Sequence, residues 1–419
     1  MTYCKFTLTV LLSLFFIHGF SQDTLRITIS EADKLFVEKN LLLAASKLGV
    51  DAQKAMEIQA RLYPNPEFSI GINTYDSDNK KAFYAGKNGE KTFDFQQLIL
   101  LGGKRKNQIR LAAENSRQSG YELENLLRNL KYELHQNLYS LHFDLRSLNK
   151  YNIQLAQLDT IINAYEVQVR KGNIPLKEVV RLKSVYIRLN NGKTEILQSI
   201  WQSQKDLQIL LHTNLDIFPV MDADDKVKGF EQLVTLDSLQ ILALQNRQDL
   251  KISGVNQTIA DLNYKYQESL AVPDLTVGTS YDQLGGAFNH QFLLTVGIPL
   301  PLWNRNQGNI KSARIQQKAA AANIQLQQNI IESEVKQAWS NMYRSMQEYR
   351  EINQVYNADF GEIFNGMQTN FLKRNISIVE FVDFFESYNE TIAELYRVRK
   401  QLMIAAENIN YTVAYPIYN

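Results

Sequence analysis

Cysteine, proline, net charge and long apolar runs are all scarce in this chain, and each shortage excludes something. The single cysteine, Cys4, precedes an apolar run from Phe6 to Ile17. With Lys5 before that run and Gly19-Phe20-Ser21 after it, residues 1–22 read as a secretory signal. A lipid-anchored precursor would need its cysteine at the end of the run, so lipidation at Cys4 is not expected. The mature chain then has no thiol, which excludes disulfides, cysteine nucleophiles and thiolate metal sites together. Lys and Arg number 45 against 44 Asp and Glu, a formal charge of +1. No basic stripe emerges, so nucleic-acid binding lacks its electrostatic footprint. Beyond the signal, no window approaches the ~18 to 20 consecutive apolar residues of a spanning helix. Any membrane crossing must therefore be made by strands.

What the chain does have is two versions of one pattern. Leu101, Ile109 and Ala112 recur as Leu302, Ile310 and Ala313, an offset of 201. "KGNIPLKEVV" (Lys171 to Val180) recurs as "KRNISIVEFV" (Lys373 to Val382) at an offset of 202, and "PEFSIG" recurs as "PDLTVG" at 207. Such self-similarity marks an internal duplication. The expected organisation is a signal at 1–22, a first unit at 23–212, a connector at 213–234 and a second unit at 235–419.

The eight prolines mark boundaries. The stretches from Gly103 to Lys171 and from Asn306 to Asn370 are free of proline and rich in helix formers. In the first, Leu123, Leu126, Leu127, Leu130, Leu134, Leu138 and Leu141 follow the three-and-four spacing of an apolar stripe. Such a helix would extend roughly 100 Å, too long for a compact globule. Further helices are expected over Ser30 to Leu62, Pro175 to His212, Thr235 to Leu270 and Ser377 to Asn410. Pro175 is expected in a first helical turn. Ahead of each long helix lies an alternating strand pair: Pro66 to Asp76 with Thr92 to Leu100, then Asp274 to Asp282 with Gln291 to Leu300. Strands of ~9 to 11 residues suit a tilted membrane crossing. The connector is too irregular to assign further.

Four strands cannot close on themselves, and an open sheet in lipid leaves edge groups unsatisfied at several kcal/mol each. Copies of the chain must complete it. Three copies give twelve strands, enough for a closed barrel with a lumen.

With the signal, the two strand–strand–long helix–turn–helix units and the Gly/Asn-Ile tip sequences in view, the chain resembles the TolC family of outer-membrane channel proteins over essentially its whole mature length. Within the family it looks closest to the outer-membrane components of heavy-metal (cobalt-zinc-cadmium type) efflux systems, on its length and the segments "YPNPEFSIG" and "PLWNRNQGNI". The resemblance implies a mostly α fold with a membrane β-barrel. A trimer would form a twelve-stranded barrel in the outer membrane of a Gram-negative bacterium, joined to an α-helical barrel in the periplasm. It implies a passive exit duct, a periplasmic adaptor, an inner-membrane pump of the RND type and outer-membrane lipid as partners, with no cofactor.

It also assigns the tips. Glu380 and Asp383, three apart on one helix face, fall on the family's acidic ring at the periplasmic gate, where six carboxylates in a trimer would favour cations. The plain alternative is a pair of solvated charges. Lys171, Asn173, Lys177, Glu178, Phe371 and Asn375 fall on tip positions that the family presents to the adaptor. The chain departs from well-known members in carrying Phe371 for a tyrosine and Ile376 for an arginine that helps hold the closed state.

Weaker signals have bland readings. "GGKRK" (Gly102 to Lys106) lacks the frame of a phosphate-binding loop, and a strand-to-helix turn near lipid headgroups fits it better. His135 and His142 have no cysteine or further histidine near them in sequence to make a metal site. Phe381, Phe384 and Phe385 read as helix-packing residues. No catalytic constellation can be assembled, so no enzymatic activity is expected. A secreted or periplasmic coiled-coil scaffold is the alternative from another class.

Overall fold

The computed structural model describes residues 24–77, 80–87, 89–221, 230, 233–285, 287–355 and 360–418. The expected signal at 1–22 lies outside them, as do parts of the connector and of both hairpin loops. In chain order the elements are β1 (Thr24–Ile27), α1 (Ile29–Lys39), α2 (Leu41–Arg61), β2 (Glu67–Ile72), β3 (Tyr75–Asp76), β4 (Lys81–Ala82), β5 (Lys91–Ile99), α3 (Lys104–Arg170) and α4 (Leu176–Leu211). They continue with β6 (Asp216–Pro219), α5 (Leu236–Asn246), α6 (Gln248–Leu270), β7 (Leu275–Leu284), β8 (Phe288–Gly297), α7 (Gln307–Val355), α8 (Phe360–Leu372) and α9 (Ile378–Val413).

The 67 residues of α3 make a rod of roughly 100 Å. No described helix is long and apolar enough to cross a membrane. α3 and α4 form one hairpin, and α7 to α9 form the corresponding second, with residues 356–359 outside the description.

Two expected helices are each broken in two. The segment from Ser30 divides at Asn40, whose ψ of 117° leaves the helical region and whose Oδ1 then accepts the Leu43 N–H at 2.8 Å, capping α2. The segment from Thr235 divides at Arg247, with ψ 125°. These breaks are 207 residues apart, the offset of the strands that follow them. Each break keeps its amide bonded four residues back, to Phe36 and to Ala243. Helix propensity hides both breaks, because no proline or glycine marks them. Pro175 is the N-cap of α4 rather than a first-turn residue.

The connector is more ordered than its composition implied. Asp216–Pro219 pairs in parallel with Thr24–Ile27, so the first described strand is held against the junction of the two units. β3 and β4 form a small ribbon within the first hairpin.

Three apolar clusters hold the helices. One joins Phe36 and Leu43 to Leu134, Leu138, Leu141 and Leu207, a second joins Tyr139 and Phe143 to Val335, Met342, Leu402 and Ile409, and the third lies at the helical tips. Charge pairs tie the units together as well. Lys400 of α9 meets Asp144 of α3 at 2.7 Å, with Ser199 of α4 donating to the same carboxylate at 2.7 Å. Arg128 of α3 meets Asp249 of α6 at 3.8 Å, and within the second unit Arg247 donates to Asp249 and Glu334.

Candidate functional site

The two strand pairs merge into a single antiparallel sheet in the order β2-β5-β7-β8, so a strand of the first unit pairs directly with a strand of the second. The register sorts side chains by face, since residues directly opposite share a side. One face carries rows such as Phe68–Phe95–Thr279–Leu294 and Ile70–Phe93–Tyr281–Phe292. The other carries Ser69–Asp94–Ser280–Leu293 and Gly71–Thr92–Asp282–Gln291. The apolar face has nothing over it: Leu294 is 77% exposed and Phe292 and Phe68 are similarly bare. At Gly278, on the polar face, a Cβ would stand 2.8 Å from Thr295 Oγ1 and 2.9 Å from Gln96 Cγ. Side chains crowd on that side, as they do on the concave side of a curling sheet. The sheet is thus one-sided, with bare aromatic and aliphatic rows on one face and two edge strands, β2 and β8, that have no partner strand among the described residues.

At the other end of the helices the two tip turns match atom for atom. After α3, Gly172 takes a left-handed φ of 76°, its N–H meets Val169 O at 2.9 Å, and the Asn173 N–H reaches Gln168 O at 2.9 Å. After α8, Arg374 takes φ 63°, its N–H meets Phe371 O at 2.9 Å, and the Asn375 N–H reaches Asn370 O at 2.9 Å. Both are Schellman turns. The side-chain amides repeat the pattern, Asn173 to Gln168 at 2.8 Å and Asn375 to Asn370 at 3.1 Å.

The structure separates the tip residues singled out from sequence. Lys171, Asn173, Lys177 and Asn375 are exposed and Glu178 is half-buried in the first turn of α4. Phe371 is only 1% exposed. Its ring lies between Tyr165 of α3, centroids 5.3 Å apart, and Phe381 of α9, 4.1 Å apart. It is therefore interior to the protomer and not part of the exposed tip surface. Phe385 is buried beside Phe381, and Phe384 packs partly buried against the same cluster. This stack, with the ion pair between Arg188 of α4 and Glu386 of α9, joins the two hairpins near their ends.

Glu380 and Asp383 are both exposed. Glu380 has a local role that sequence inspection missed. Ser377-Ile378-Val379-Glu380 is an S-x-x-E capping box, in which Glu380 N–H donates to Ser377 Oγ at 3.2 Å and Ser377 N–H donates to Glu380 Oε2 at 2.8 Å. The bond from the Ser377 backbone N–H, helped by its hydroxyl, holds this carboxyl below the usual range, so it stays ionised. Asp383 lies a turn further on. Among the described residues no cluster of three or more metal-ligating side chains occurs.

A one-sided four-stranded sheet set on paired helical hairpins of this length is the fold of solved outer-membrane channels. Residues 240–410 match the sequence model of the family described as "Outer membrane efflux protein". The cobalt-zinc-cadmium resistance protein CzcC of Cupriavidus metallidurans is 22% identical over 325 residues, covering 73% of this chain and 71% of CzcC. The CmeC outer membrane channel of Campylobacter jejuni shares the fold with a TM-score of 0.76 at 12% identity, covering 93% of this chain and 86% of CmeC. CusC, a transmembrane channel, shares it with a TM-score of 0.70 at 17% identity, over 94% and 95% of the two chains. The resemblance read from the sequence is borne out by the match of residues 240–410 to the outer-membrane efflux model, by the likeness to CzcC and by the shared fold.

Proposed function

We propose that three copies assemble into the passive exit duct of a tripartite efflux system, spanning the outer membrane by a shared twelve-stranded barrel and receiving cargo in the periplasm from an adaptor and an inner-membrane pump of the RND type. The observation that carries this reading is the pairing of β5 with β7. It joins the second strand of one unit to the first strand of the next. The same rule applied at the chain's edges joins β8 to β2 of a neighbouring copy, and it closes when the copies form a ring. Closure also places the bare face in lipid and the Asp94, Asp282 and Thr295 face around water. A coiled-coil scaffold would leave both features without a purpose.

Threefold symmetry would bring Glu380 and Asp383 into rings at the periplasmic mouth. Their charge favours cations, and likeness to CzcC supports metal ions as cargo. Export itself needs no catalysis by this chain, because energy enters through the pump.

The test is single-channel conductance in planar bilayers, comparing wild type with Glu380→Gln plus Asp383→Asn. Glutamine keeps the capping box that alanine would break, so the variant changes charge without freeing the helix start. A small cation-selective conductance that loses selectivity in the variant supports duct and gate. Unchanged selectivity removes the gate, and absence of conductance removes the duct.

A further inference from the structure

Beyond the last row of the sheet the apolar alternation of β8 does not stop. Phe292, Leu294 and Val296 are followed at the same period by Ile298, Leu300 and Leu302, all more than half exposed, and then by Trp303 at 86%. The nine residues from Phe292 to Leu300 measure about 26 Å along an extended chain, and the Leu302 N–H then turns back to Leu300 O at 2.9 Å. At a tilt of ~45° the extended run rises about 19 Å, most of the ~25 Å apolar band of an outer-membrane barrel. Trp303 therefore falls where that band ends, and Arg305 follows it into the polar zone.

The turn that carries this indole is rigidly built. Arg305 Nε donates to Pro301 O at 3.1 Å, Gln307 Nε2 to Trp303 O at 3.3 Å, and Arg305 N to Gln307 Oε1 at 2.8 Å. Asn306, left-handed at φ 59°, donates from Nδ2 to Gln267 O at 2.7 Å and so moors the turn to the end of α6. Pro299 and Pro301 lack N–H groups, which keeps the segment out of a longer ladder. The corresponding turn of the first unit has Gly102 and Gly103 instead, with no aromatic. A braced loop holding a bare tryptophan outward, on the line of a lipid-facing strand and next to an arginine, has the chemistry of an interfacial anchor.

We propose that Leu302 and Trp303 insert into the headgroup–acyl boundary of the periplasmic leaflet and fix the depth and rotation of the barrel in the membrane. The occupant of this patch is phospholipid. This rests on the membrane-barrel reading, and the test separates the two. The chain has three tryptophans, so the emission of Trp303 is the difference between wild type and Trp303→Phe, a substitution at a site with almost no packing to lose. Both proteins, and Leu294→Trp in the Trp303→Phe background, are reconstituted into phosphatidylcholine vesicles brominated either near the headgroup or near the chain ends.

The expected result is that the Trp303 component loses most of its emission to shallow bromines and less to deep ones, while the tryptophan at 294 shows the opposite order. If the tryptophan at 294 is quenched and the Trp303 component is not, the barrel stands and the anchor is overturned, whether water or a second protein copy covers the indole. If neither is quenched in protein that is folded and bilayer-associated, the membrane reading fails and the anchor with it.

Discussion

His135 shows how much a single side chain can carry. It is 7% exposed, with Nε2 2.8 Å from Asp33 Oδ1 on α1 and Nδ1 2.9 Å from Glu407 Oε1 on α9. Lys131 also reaches Asp33, at 2.9 Å. Burial alone would lower its pKa, but the hydrogen bonds it donates to Asp33 and Glu407 outweigh burial and raise it to about 9. A folded-state value above the unfolded one stabilises fully below pH ~6.5 and fades as pH rises through about 9. The rise corresponds to about 3 kcal/mol. His135→Gln is expected to lower the melting temperature in detergent by several degrees at pH 6 and by much less at pH 9.5. An equal loss at both pH values would show that the charge contributes nothing. A second case is Asp144, whose side chain is 3% exposed. Lys400→Met leaves that carboxylate buried without its cation and should destabilise by about 3 to 5 kcal/mol, read as a fall in the chemical-denaturation midpoint. Neither site was legible in sequence. A histidine seven residues from another looked like an incomplete metal site, because its partners Asp33 and Glu407 lie far away along the chain.

At the scale of elements, the sequence spoke clearly where periodicity was strong. Strand alternation placed the four strands of the sheet, the first only as far as Ile72, where the expected run to Asp76 gives way to the separate β3 ribbon, and the leucine stripe placed α3, since burial on one face imposes those periods. It failed at Asn40 and Arg247, where side-chain and tertiary contacts end a helix that propensity would continue, and at β6, whose four residues pair only with a distant strand. The tips were found through the repeated Asn-Ile, but the burial of Phe371 was not, since only the fold brings Tyr165 and Phe381 to its two faces. Phe371→Ala should cost about 3 to 5 kcal/mol locally and appear as faster hydrogen exchange at both tips together. Exchange confined to α8 would show that the stack does not join the hairpins. In the sheet, Leu294→Lys should block membrane assembly, at about 2 to 4 kcal/mol per lipid-facing cation, while Thr295→Lys on the opposite face should assemble and alter ion selectivity. The measurement is heat-modifiable mobility of membrane-extracted protein, and equal behaviour of the two neighbours would contradict the assignment of faces.

For the whole molecule, the question is how the edges are satisfied. β2 and β8 each offer a row of unpaired backbone groups, which hydrocarbon does not tolerate. The sequence has one cysteine, Cys4, and a Cys4→Ser background makes this easy to probe. Cysteine pairs placed one on β2 and one on β8 should yield covalent dimers and trimers on oxidation, with no background bonding. A scan of several pairs that gives only monomers would contradict the ring.

The β5–β7 seam has a further consequence, for ancestry. A chain carrying one unit would meet its neighbours through that same seam and would need six copies to complete the ring that three would complete in the proposed trimer. Fusion of two units makes half of those seams covalently inevitable, so fewer collisions separate a newly exported chain from a sealed wall. It also frees the two units to differ. A sixfold ancestor must repeat every tip residue six times, whereas this chain keeps Gly172 at one turn and Arg374 at the other. It carries the paired acids Glu380 and Asp383 on its second hairpin only, and in the proposed trimer would set three sharply charged tips among three milder ones.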